Sequence, residues 1–345
     1  MNPPEVFKIR TKKEFEKRAL EIFRFQADKN SIYKKYIGQL GVDREKVKNI
    51  GQIPFLPIEL FKTQKINTKS QVRSPKSEAP SQKSKIFLSS GTTGMERSKH
   101  YVPDISLYEK SFRKCFEIFY GDVKQYALLA FLPSYYENKN SSLLYMINDL
   151  MKRSEKKESR FYKRSEQEIL LRTMNKLLSK KKKVILFGVS YALLDLTPPA
   201  SRLSPLSRGR GVRGEGIVIE TGGMKGRREE ITREELHKTL TRKFSVKKIH
   251  SEYGMTELLS QAYSKGDGIF KCPPWMKILV RDANDPFSFL PAGKTGALNI
   301  MDLANIYSCS FIATQDVGRM HKNGSFEVLG RMDNSDLRGC NLLAG

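Results

Sequence analysis

The sequence has few cysteines, and they are far apart. Four occur in 345 residues, at Cys115, Cys272, Cys309 and Cys340. No two of them have the close spacing of a zinc-binding motif, and scattered cysteines in a chain of this length do not indicate a disulfide framework. We therefore expect reduced thiols, without a zinc site and without disulfide bonds.

Long hydrophobic runs are also absent. The longest lie near residues 127–133 and 184–189, far short of the roughly 20 apolar residues that span a bilayer. The first residues, 1–5, are polar and lead into a predicted helix, so no signal peptide is evident. These absences predict a soluble, cytoplasmic protein with no integral membrane segment.

Acidic residues are scarce relative to basic ones. Lys and Arg number 62 against 37 Asp and Glu, which gives a formal net charge of +25. Such an excess can serve nucleic acid, anionic lipid or an acidic partner protein. The basic residues are nevertheless spread along the chain, with concentrations at 152–164 and 180–183, and no zinc-finger or aromatic RNA-binding motif accompanies them. A solvated basic surface is favoured over nucleic-acid binding.

Strand-like apolar runs alternate with helical patterns along the chain, which predicts an α/β architecture with largely buried sheets. Two capping boxes, beginning at Thr11 and Thr232, mark helix starts. The predicted strands are residues 86–89, 127–132, 183–188, 216–220, 248–250 and 297–301.

The composition divides the chain into three regions. Residues 1–84 form a helical N-terminal region that ends in a flexible connection, rich in Ser, Lys, Pro and Gln, at 70–84. Residues 85–264 form an α/β nucleotide-binding core, and 265–345 a β-rich subdomain with a mobile C-terminal tail. Within the core, the Pro, Gly, Ser and Arg of 197–216 predict a disordered insertion, although an Arg/Gly segment can also bind RNA.

A small hydroxyl-rich loop is the most informative motif. It follows the apolar residues 85–88, which we interpret as a short buried strand. Its glycines allow left-handed backbone angles that direct N–H groups into one concavity, and its hydroxyls add donors, as in phosphate-binding loops. Clusters of this kind also form ordinary surface turns. The loop consists of Ser89, Ser90, Gly91, Thr92, Thr93 and Gly94.

A second motif, Ser-Glu-Tyr-Gly-Met-Thr-Glu at 251–257, makes the resemblance specific. The two motifs together resemble the paired signature of the adenylate-forming superfamily, whose members activate carboxylic acids as acyl adenylates. Ala-Thr-Gln-Asp at 313–316 resembles the ribose-binding segment of that superfamily, and Gly-Arg-Met-Asp at 330–333 resembles its hinge.

Within the superfamily, the chain most resembles the acyl-protein synthetases of bacterial luminescence and their relatives near phenylacetate–CoA ligase. This resemblance implies the large N-terminal domain of adenylate-forming enzymes, with α/β subdomains and a small β-rich subdomain. The sequence stops at Gly345, soon after the hinge motif, which implies that the usual C-terminal domain with its lysine is lacking. The segments that carry the resemblance are 53–57, 61–62, 132–135, 140–143, 186–194, 220–226 and 336–340.

The resemblance implies ATP and Mg²⁺ as cofactors. It also implies which residues bind the phosphates. Residues 89–94 would hold the β- and γ-phosphates, and Lys99 or Arg97 would supply positive charge. Lys99 and Lys225 are candidates for the cation at the α-phosphate. Glu257 matches the Mg²⁺ carboxylate of the superfamily, and carboxylate oxygens suit that ion. Taken alone, Glu257 can also be a helix N-terminal carboxylate.

The same resemblance implies which residues contact the ribose and the adenine. Asp316 would accept hydrogen bonds from the ribose hydroxyls. Taken alone, it can also be a turn cap. Arg331 would reach the ribose as well. For His100, both a surface position and a catalytic role remain open. His250 is expected to be structural. The remaining nucleotide-contacting residues are those of the adenine slot and of the second motif: Gly222, Gly223, Tyr253, Gly254 and Thr256.

Cys340 distinguishes this chain from a generic ligase. In the luminescence synthetases, a cysteine near the C-terminus takes the acyl group as a thioester and passes it to a reductase. The context Leu-Arg-Gly-Cys at 337–340 matches, and the neighbouring Arg338 favours the thiolate. A chance terminal cysteine is the alternative. The implied partner is an acyl-accepting reductase or carrier protein.

These observations predict an enzyme that uses ATP to convert a carboxylic acid into acyl-AMP, with release of pyrophosphate, and then transfers the acyl group to Cys340. A fatty acid is the expected substrate. An acyl-CoA or acyl-carrier-protein ligase or acyltransferase of lipid or cell-envelope biosynthesis is the alternative within the same chemistry. A basic RNA- or membrane-surface-binding protein on a retired ligase fold is the alternative from another class.

Overall fold

A computed structural model describes residues 3–68, 84–90, 96–133, 139–196, 215–223 and 231–332. The predicted flexible connection and the predicted insertion lie outside the described residues, except for residue 84 and residues 215–216. The mobile tail predicted after the hinge motif also lies outside them.

Eight α-helices occur in these ranges: α1 (Lys12–Lys29), α2 (Ser31–Gln39), α3 (Leu60–Thr63), α4 (Ile105–Tyr120), α5 (Ser142–Ser154), α6 (Gln167–Ser179), α7 (Ser190–Asp195) and α8 (Arg233–Phe244). Fourteen strands accompany them: β1 (Leu56–Pro57), β2 (Lys85–Leu88), β3 (Lys99–Val102), β4 (Tyr126–Phe131), β5 (Arg160–Phe161), β6 (Lys183–Val189), β7 (Gly216–Thr221), β8 (His250–Tyr253), β9 (Ala262–Ser264), β10 (Phe270–Lys271), β11 (Met276–Arg281), β12 (Thr295–Asp302), β13 (Phe311–Met320) and β14 (Phe326–Arg331). The predicted α/β class is confirmed.

Both predicted helix starts are found. The Thr11 hydroxyl accepts a hydrogen bond from the Glu14 amide at 3.2 Å, and the Glu14 carboxylate accepts one from the Thr11 amide at 3.0 Å, which completes a capping box. At the start of α8, the Thr232 hydroxyl accepts a hydrogen bond from the Glu235 amide at 3.2 Å. Each cap satisfies a backbone N–H that has no partner within its helix.

The described residues form two compact units. The first takes its residues from Met1–Phe112, Met255–Gln261 and Lys271–Gly345, and the second from Arg113–Gly254 and Ala262–Phe270. This grouping differs from the three regions drawn from composition, which remain a sequence-based prediction. The two units are described separately below.

The second unit contains a mainly parallel sheet. Strands β5, β4, β6, β7 and β8 pair in that order and in parallel, and β9 pairs with β8 in the antiparallel sense. The central strands β4, β6 and β7 are buried along almost their whole length. Their near-continuous apolar runs, typical of strands covered on both faces, explain why these strands were predictable to within one residue at either end.

The first unit contains an antiparallel sheet, β11-β12-β13-β14, with β1 added in parallel on β13. Strands β2 and β3 form a separate antiparallel hairpin. Helix α1 and the sheet share an aromatic core, in which Phe23 and Tyr33 pack against Phe311. The buried Trp275 donates from its indole nitrogen to the Ser111 and Ser260 hydroxyls, at 3.1 and 3.0 Å. These contacts hold the 255–261 segment in this unit.

Three of the cysteines are described, and all are free thiols. Cys115 and Cys309 are buried, and burial raises the pKa of Cys309 to about 12. No helix within the described ranges is long and apolar enough to cross a membrane.

Candidate functional site

The predicted phosphate loop begins at the tip of the β2–β3 hairpin. The Ser89 amide donates to the Ser98 carbonyl at 3.1 Å, and the Ser98 amide donates to the Ser89 hydroxyl at 2.9 Å. These bonds close the base of the loop, and Ser90 is exposed just beyond them. The rest of the loop, Gly91, Thr92, Thr93 and Gly94, lies outside the described residues.

The strand before the loop is not buried as predicted. Phe87 alone is fully buried in β2, and Ile86 is 45% exposed. The physical reason is that β2 pairs only with β3, so that a two-stranded hairpin buries one face and leaves the other to solvent. Lys99 and Arg97, the two predicted sources of positive charge, are both exposed on this hairpin. Lys225 lies outside the described residues.

Glu257, the predicted metal ligand, has a buried carboxyl group. It is 5% exposed and lies in a turn rather than at a helix N-terminus, which removes the helix-dipole alternative for it. Burial raises its pKa, while a hydrogen bond from the Ser98 hydroxyl and the charge of Arg331 act in the opposite direction. The carboxyl of Asp316 adds to the increase. The first unit thus brings the phosphate hairpin, Glu257 and both predicted ribose residues into one electrostatic neighbourhood.

The backbone around Glu257 is held by a buried polar pair. The Asn305 amide nitrogen donates to the Glu257 carbonyl at 2.9 Å, and its oxygen lies 3.1 Å from Nε2 of His100. Nδ1 of His100 lies 2.8 Å from the Thr256 carbonyl. Burial lowers the pKa of His100 to about 4, so the ring is neutral at pH 7. His100 is therefore a structural brace for the second motif and is not a surface residue.

Asp302 fixes the residues that follow Glu257. Its carboxylate accepts hydrogen bonds from the Leu259 and Ser260 amides, at 2.7 and 2.9 Å, and from the Ser260 hydroxyl at 2.6 Å. The carboxylate is fully buried. A buried acid that accepts several N–H and O–H bonds is well satisfied and locks the backbone it contacts. Asp302 is thus a support for the turn that carries Glu257.

Asp316 and Arg331 face each other across an antiparallel pair, since they are register partners in β13 and β14. The pairing of β12 with β13 is irregular next to Asp316: Ala297 is opposite Val317, whereas Asn299 is opposite Ala313. Such a bulge re-aims side chains and is common near functional sites. The exposed Arg331 donates to the Gln315 side-chain oxygen at 3.2 Å. The two predicted ribose residues are therefore neighbours.

The predicted adenine residues lie in the second unit, at the ends of two paired strands. Gly222 follows β7 directly, and Tyr253 ends β8, the next strand in the sheet. The φ angle of Gly222 is +68°, a left-handed conformation that favours glycine, and a Cβ on Gly223 would meet no atom within 4 Å. Tyr253 is mostly buried and packs edge-on against Phe270. Gly254, one residue further on, is exposed.

A buried polar network supports this end of the sheet. The Glu220 carboxylate accepts a hydrogen bond from Arg233 at 2.7 Å and another from the Ser190 hydroxyl at 2.7 Å. The same hydroxyl lies 2.8 Å from the Gly222 carbonyl oxygen. His237 lies 3.5 Å from Glu220. Burial opposes ionisation of Glu220, but its partners lower its pKa below the ordinary value.

The pKa of Glu252, on the adjacent strand, shifts in the opposite direction. It is buried, and its carboxyl accepts a hydrogen bond from the Thr221 hydroxyl. Burial, with a contribution from the charge of Glu220, raises the pKa of Glu252 to about 7. Two neighbouring buried carboxyls thus divide into one ionised and one partly protonated group, as expected when like charges lie close together.

A metal site must be assessed from the donors present. No group of three His, Cys, Asp or Glu side chains in the described part of the chain could hold a metal ion. Mg²⁺ in nucleotide sites is held by one or two carboxylates together with phosphates and water. A single buried carboxyl that has no ion pair in the described residues, as at Glu257, fits that requirement.

Sequence reasoning missed the residues that support the site. Asn305, Asp302, Glu220, Glu252 and Arg233 were not singled out for a structural role. Each is a single polar residue whose partner lies far away in sequence, and no local spacing marks it. The one available signal was a charged residue inside an otherwise apolar strand, as at Glu220 in β7.

Comparison with known proteins identifies the family. The model of the family described as "Acyl-protein synthetase, LuxE" matches residues 2–344. A search of curated proteins found no match.

Solved structures show the fold. ATP-bound MatB from Rhodopseudomonas palustris matches with a TM-score of 0.52 and 18% identity over 71% of this chain, and the chain spans 47% of MatB. A 2-hydroxyisobutyryl-CoA ligase in complex with 2-HIB-AMP matches with a TM-score of 0.63 and 13% identity, over 93% of this chain and 68% of that one. The luciferase-like enzyme of the mealworm Zophobas morio matches with a TM-score of 0.50 and 16% identity, over 75% and 60% of the two chains. At these identities the likeness concerns the fold alone.

Proposed function

Since the chain belongs to the acyl-protein synthetase family LuxE, we propose that it activates a fatty acid, or another carboxylic acid, as an acyl adenylate and transfers the acyl group to a protein thiol. The observation that carries the proposal is the family match, together with a buried Glu257 carboxyl on which Ser98, Arg331 and Asp316 act. A cytoplasmic location is part of the same proposal.

In the first step, a carboxylate oxygen of the acid attacks the α-phosphorus of ATP. An oxygen–phosphorus bond forms while the bond to the pyrophosphate oxygen breaks, which gives acyl-AMP and pyrophosphate. The difficulty is to bring an anion to an anionic centre, so fixed donors and cations must hold the phosphates. Ser89 and Ser90, with Gly91–Gly94, would supply donors, and Lys99 or Arg97 positive charge.

Glu257 would hold Mg²⁺, and the bound ion would spread the charge of the triphosphate. Asp316 would accept hydrogen bonds from the ribose hydroxyls, with Arg331 beside it. Gly222, Gly223 and Tyr253 would contact adenine, because glycine lets a flat base approach the backbone closely. Gly254 and Thr256 belong to the same nucleotide-contacting motif.

In the second step, the Cys340 thiolate attacks the acyl carbon. The thiol has by then released its proton to solvent; a carbon–sulfur bond forms, and the carbon–oxygen bond to AMP breaks, so that AMP leaves as the anion. Cys340 lies outside the described residues, so this role rests on the family and on the sequence around it. The acyl group would pass next to a reductase or carrier protein.

The adenylation step is tested by ATP–pyrophosphate exchange with a panel of short to long carboxylic acids. We expect exchange with at least one acid, and a loss of roughly a hundredfold in Glu257→Gln, the order of magnitude for removal of one electrostatic stabiliser. Glu45→Gln is the matched control, since the Glu45 side chain is 69% exposed in the same unit. No exchange with any acid, combined with salt-sensitive retention on RNA or anionic lipid, would support the retired-ligase alternative instead.

The transfer step is tested by intact-protein mass after incubation with Mg²⁺-ATP and the active acid. A hydroxylamine-labile acyl adduct on the wild type and none on Cys340→Ala is the expected result. Exchange activity without an adduct, but with acylation of coenzyme A or a carrier protein, would show that the protein is a ligase with an external acceptor.

A further inference from the structure

The first unit contains a cavity of about 560 Å³ whose lining residues have no assigned role in the proposed reaction. It lies between α2, the segment around β1, the loop after β11, and β13. Small-molecule sites are commonly about 300–1,000 Å³. Glu257, Asp316 and Arg331 do not line it. The cavity is therefore large enough for a ligand, and it adjoins the predicted ribose residues, because Gln315 and Met332 line it.

Four aromatic side chains form part of its walls. Tyr36, Phe55 and Phe289 line it, and Phe55 and Phe289 pack edge-on at 5.9 Å. The hydroxyl of Tyr36 donates to the Phe55 carbonyl at 3.0 Å, which fixes that wall. Phe287, also in the lining, is 61% exposed. Phe287 therefore offers apolar surface against which a ligand bound in the cavity can pack.

The floor carries a buried positive charge. Arg281 lines the cavity and is only 8% exposed. Its guanidinium donates to the Asn299 side-chain oxygen at 3.0 Å and to the Thr314 carbonyl at 2.7 Å, and both acceptors are neutral. No carboxylate in the described ranges lies within ion-pair distance of it. Burial lowers the pKa of Arg281, which is the expected sign for a cation without a full counter-charge.

A second buried donor lies next to Arg281, behind the lining of the cavity. Asn299 is 1% exposed, and its amide nitrogen has no hydrogen-bond partner among the described residues. Asn299 is the register partner of Ala313, which lines the cavity, so both side chains belong to one face of the sheet. A buried donor without a partner costs about 1–3 kcal/mol, and native structures rarely retain one without a reason.

Among the residues that the structure describes, Glu59 is the one acid in the lining. Its charge acts to raise the pKa of Arg281, but less strongly than burial lowers it. The two groups are not an ion pair within 4 Å, so Glu59 does not neutralise the floor. A buried cation at one end and aromatic side chains in the lining suit a ligand with an anionic head and an apolar body, and Glu59 would weaken its binding.

We propose that this cavity is a second ligand site, for an amphipathic anion that has a carboxylate or phosphate head against Arg281 and an acyl or aromatic body against Phe55, Phe287 and Phe289. Arg281 also binds the Thr314 carbonyl inside the bulge that precedes Asp316. An anion on Arg281 therefore contacts the residue that supports the predicted ribose-binding strand.

Fluorine NMR titration of the full chain without ATP tests this proposal. The probes are para-fluorophenylbutyrate, the alcohol and the amine of the same skeleton, and para-fluorophenylpropyl phosphate. We expect either anion to bind at least tenfold more tightly than the alcohol, and the amine to bind most weakly. The stronger of the two anions identifies the head group as carboxylate or phosphate.

Four variants assign the binding to this cavity. Phe287→Ala should weaken anion binding at least tenfold, whereas Leu329→Ala, which removes a comparably exposed side chain of the same unit, should leave it unchanged. Glu59→Gln should strengthen binding. Arg281→Gln should abolish the preference for the anion over the alcohol, with circular dichroism to verify folding.

Equal affinities for acid, alcohol and amine would overturn the proposal. So would anion binding that Phe287→Ala leaves unchanged, because the acid would then occupy another site. Neither readout needs turnover, so failure of the adenylation proposal in the exchange assay is a separate result.

Discussion

Glu252 should make the protein less stable as the pH rises, which is unusual for a carboxyl group. Its folded-state pKa of about 7 lies above the ordinary value of 4.5, because the carboxyl is buried beside the charge of Glu220. Between these two pH values the folded state holds a proton that the unfolded state has released. The free energy of unfolding therefore falls with rising pH across that window and is constant above it.

The size of the effect follows from the two pKa values. The difference between about 7 and 4.5 corresponds to about 3 kcal/mol of destabilisation once the carboxyl is ionised in both states. Glutamine at this position has the same shape, carries no charge, and can still accept the hydrogen bond from the Thr221 hydroxyl. Glu252→Gln should therefore raise the free energy of unfolding by up to about 3 kcal/mol near pH 8 and hardly change it near pH 4.

Urea unfolding of the wild type and Glu252→Gln at several pH values measures this difference. Glu158→Gln, a change of the same chemistry at an exposed position of the same unit, is the control and should show no such trend. A Glu252→Gln protein that is less stable than wild type near pH 8, or a difference that does not vary with pH, would refute the reasoning. Either result would mean that Glu252 ionises like an ordinary surface acid.

Three further substitutions test the supports of the site by urea unfolding at neutral pH. Arg233→Met should cost about 3 kcal/mol, because it leaves the buried Glu220 without its cation, and combining it with Glu220→Gln should cost less than the sum of the two. Asp302→Asn should cost about 2 kcal/mol, because its amide cannot accept all the bonds that the carboxylate accepts. Gly318→Ala should cost more than about 2 kcal/mol, since its Cβ would lie 2.2 Å from a backbone oxygen, whereas a Cβ in Gly330→Ala meets nothing within 4 Å.

Each of these has an outcome that contradicts it. Additive effects of the Arg233 and Glu220 changes would show that the ion pair contributes no coupling. An Asp302→Asn protein as stable as wild type would mean that the 259–260 segment does not depend on the carboxylate. Equal stabilities of the two glycine variants would mean that β13 and β14 separate easily.

Part of the fold was predictable because its signal is local. Strands β6 and β7 read as continuous apolar runs bounded by polar residues, and both predictions end within one residue of the observed bounds. The prediction of residues 248–250 as a strand was wrong in position, since β8 is His250–Tyr253. Its Ser251 and Glu252 are polar but buried, because His237 in α8 and Thr221 in β7 are their hydrogen-bond partners. No apolar pattern marks such a strand.

The site residues likewise divide into those that a local motif marks and those that only the fold brings together. The sequence motifs identified Ser89, Glu257 and Asp316 as candidate site residues, because each motif is a run of adjacent residues. The hydrogen bonds that hold the Glu257 turn come from Asn305 and Asp302, more than 40 residues away. Nothing near Asn305 or Asp302 in the sequence indicates which backbone they will contact.

The sequence by itself determined the α/β class, the family resemblance, the helix caps and the residue types of the nucleotide motifs, because each of these depends on periodicity or on adjacent residues. Only the tertiary structure decided which charges are buried together. Glu220 is ionised and Glu252 is partly protonated near neutral pH, and the Arg281 charge faces a cavity lined partly by aromatic side chains. The reason is physical: desolvation and the distance between charges set these properties, and both are fixed only when distant segments pack together.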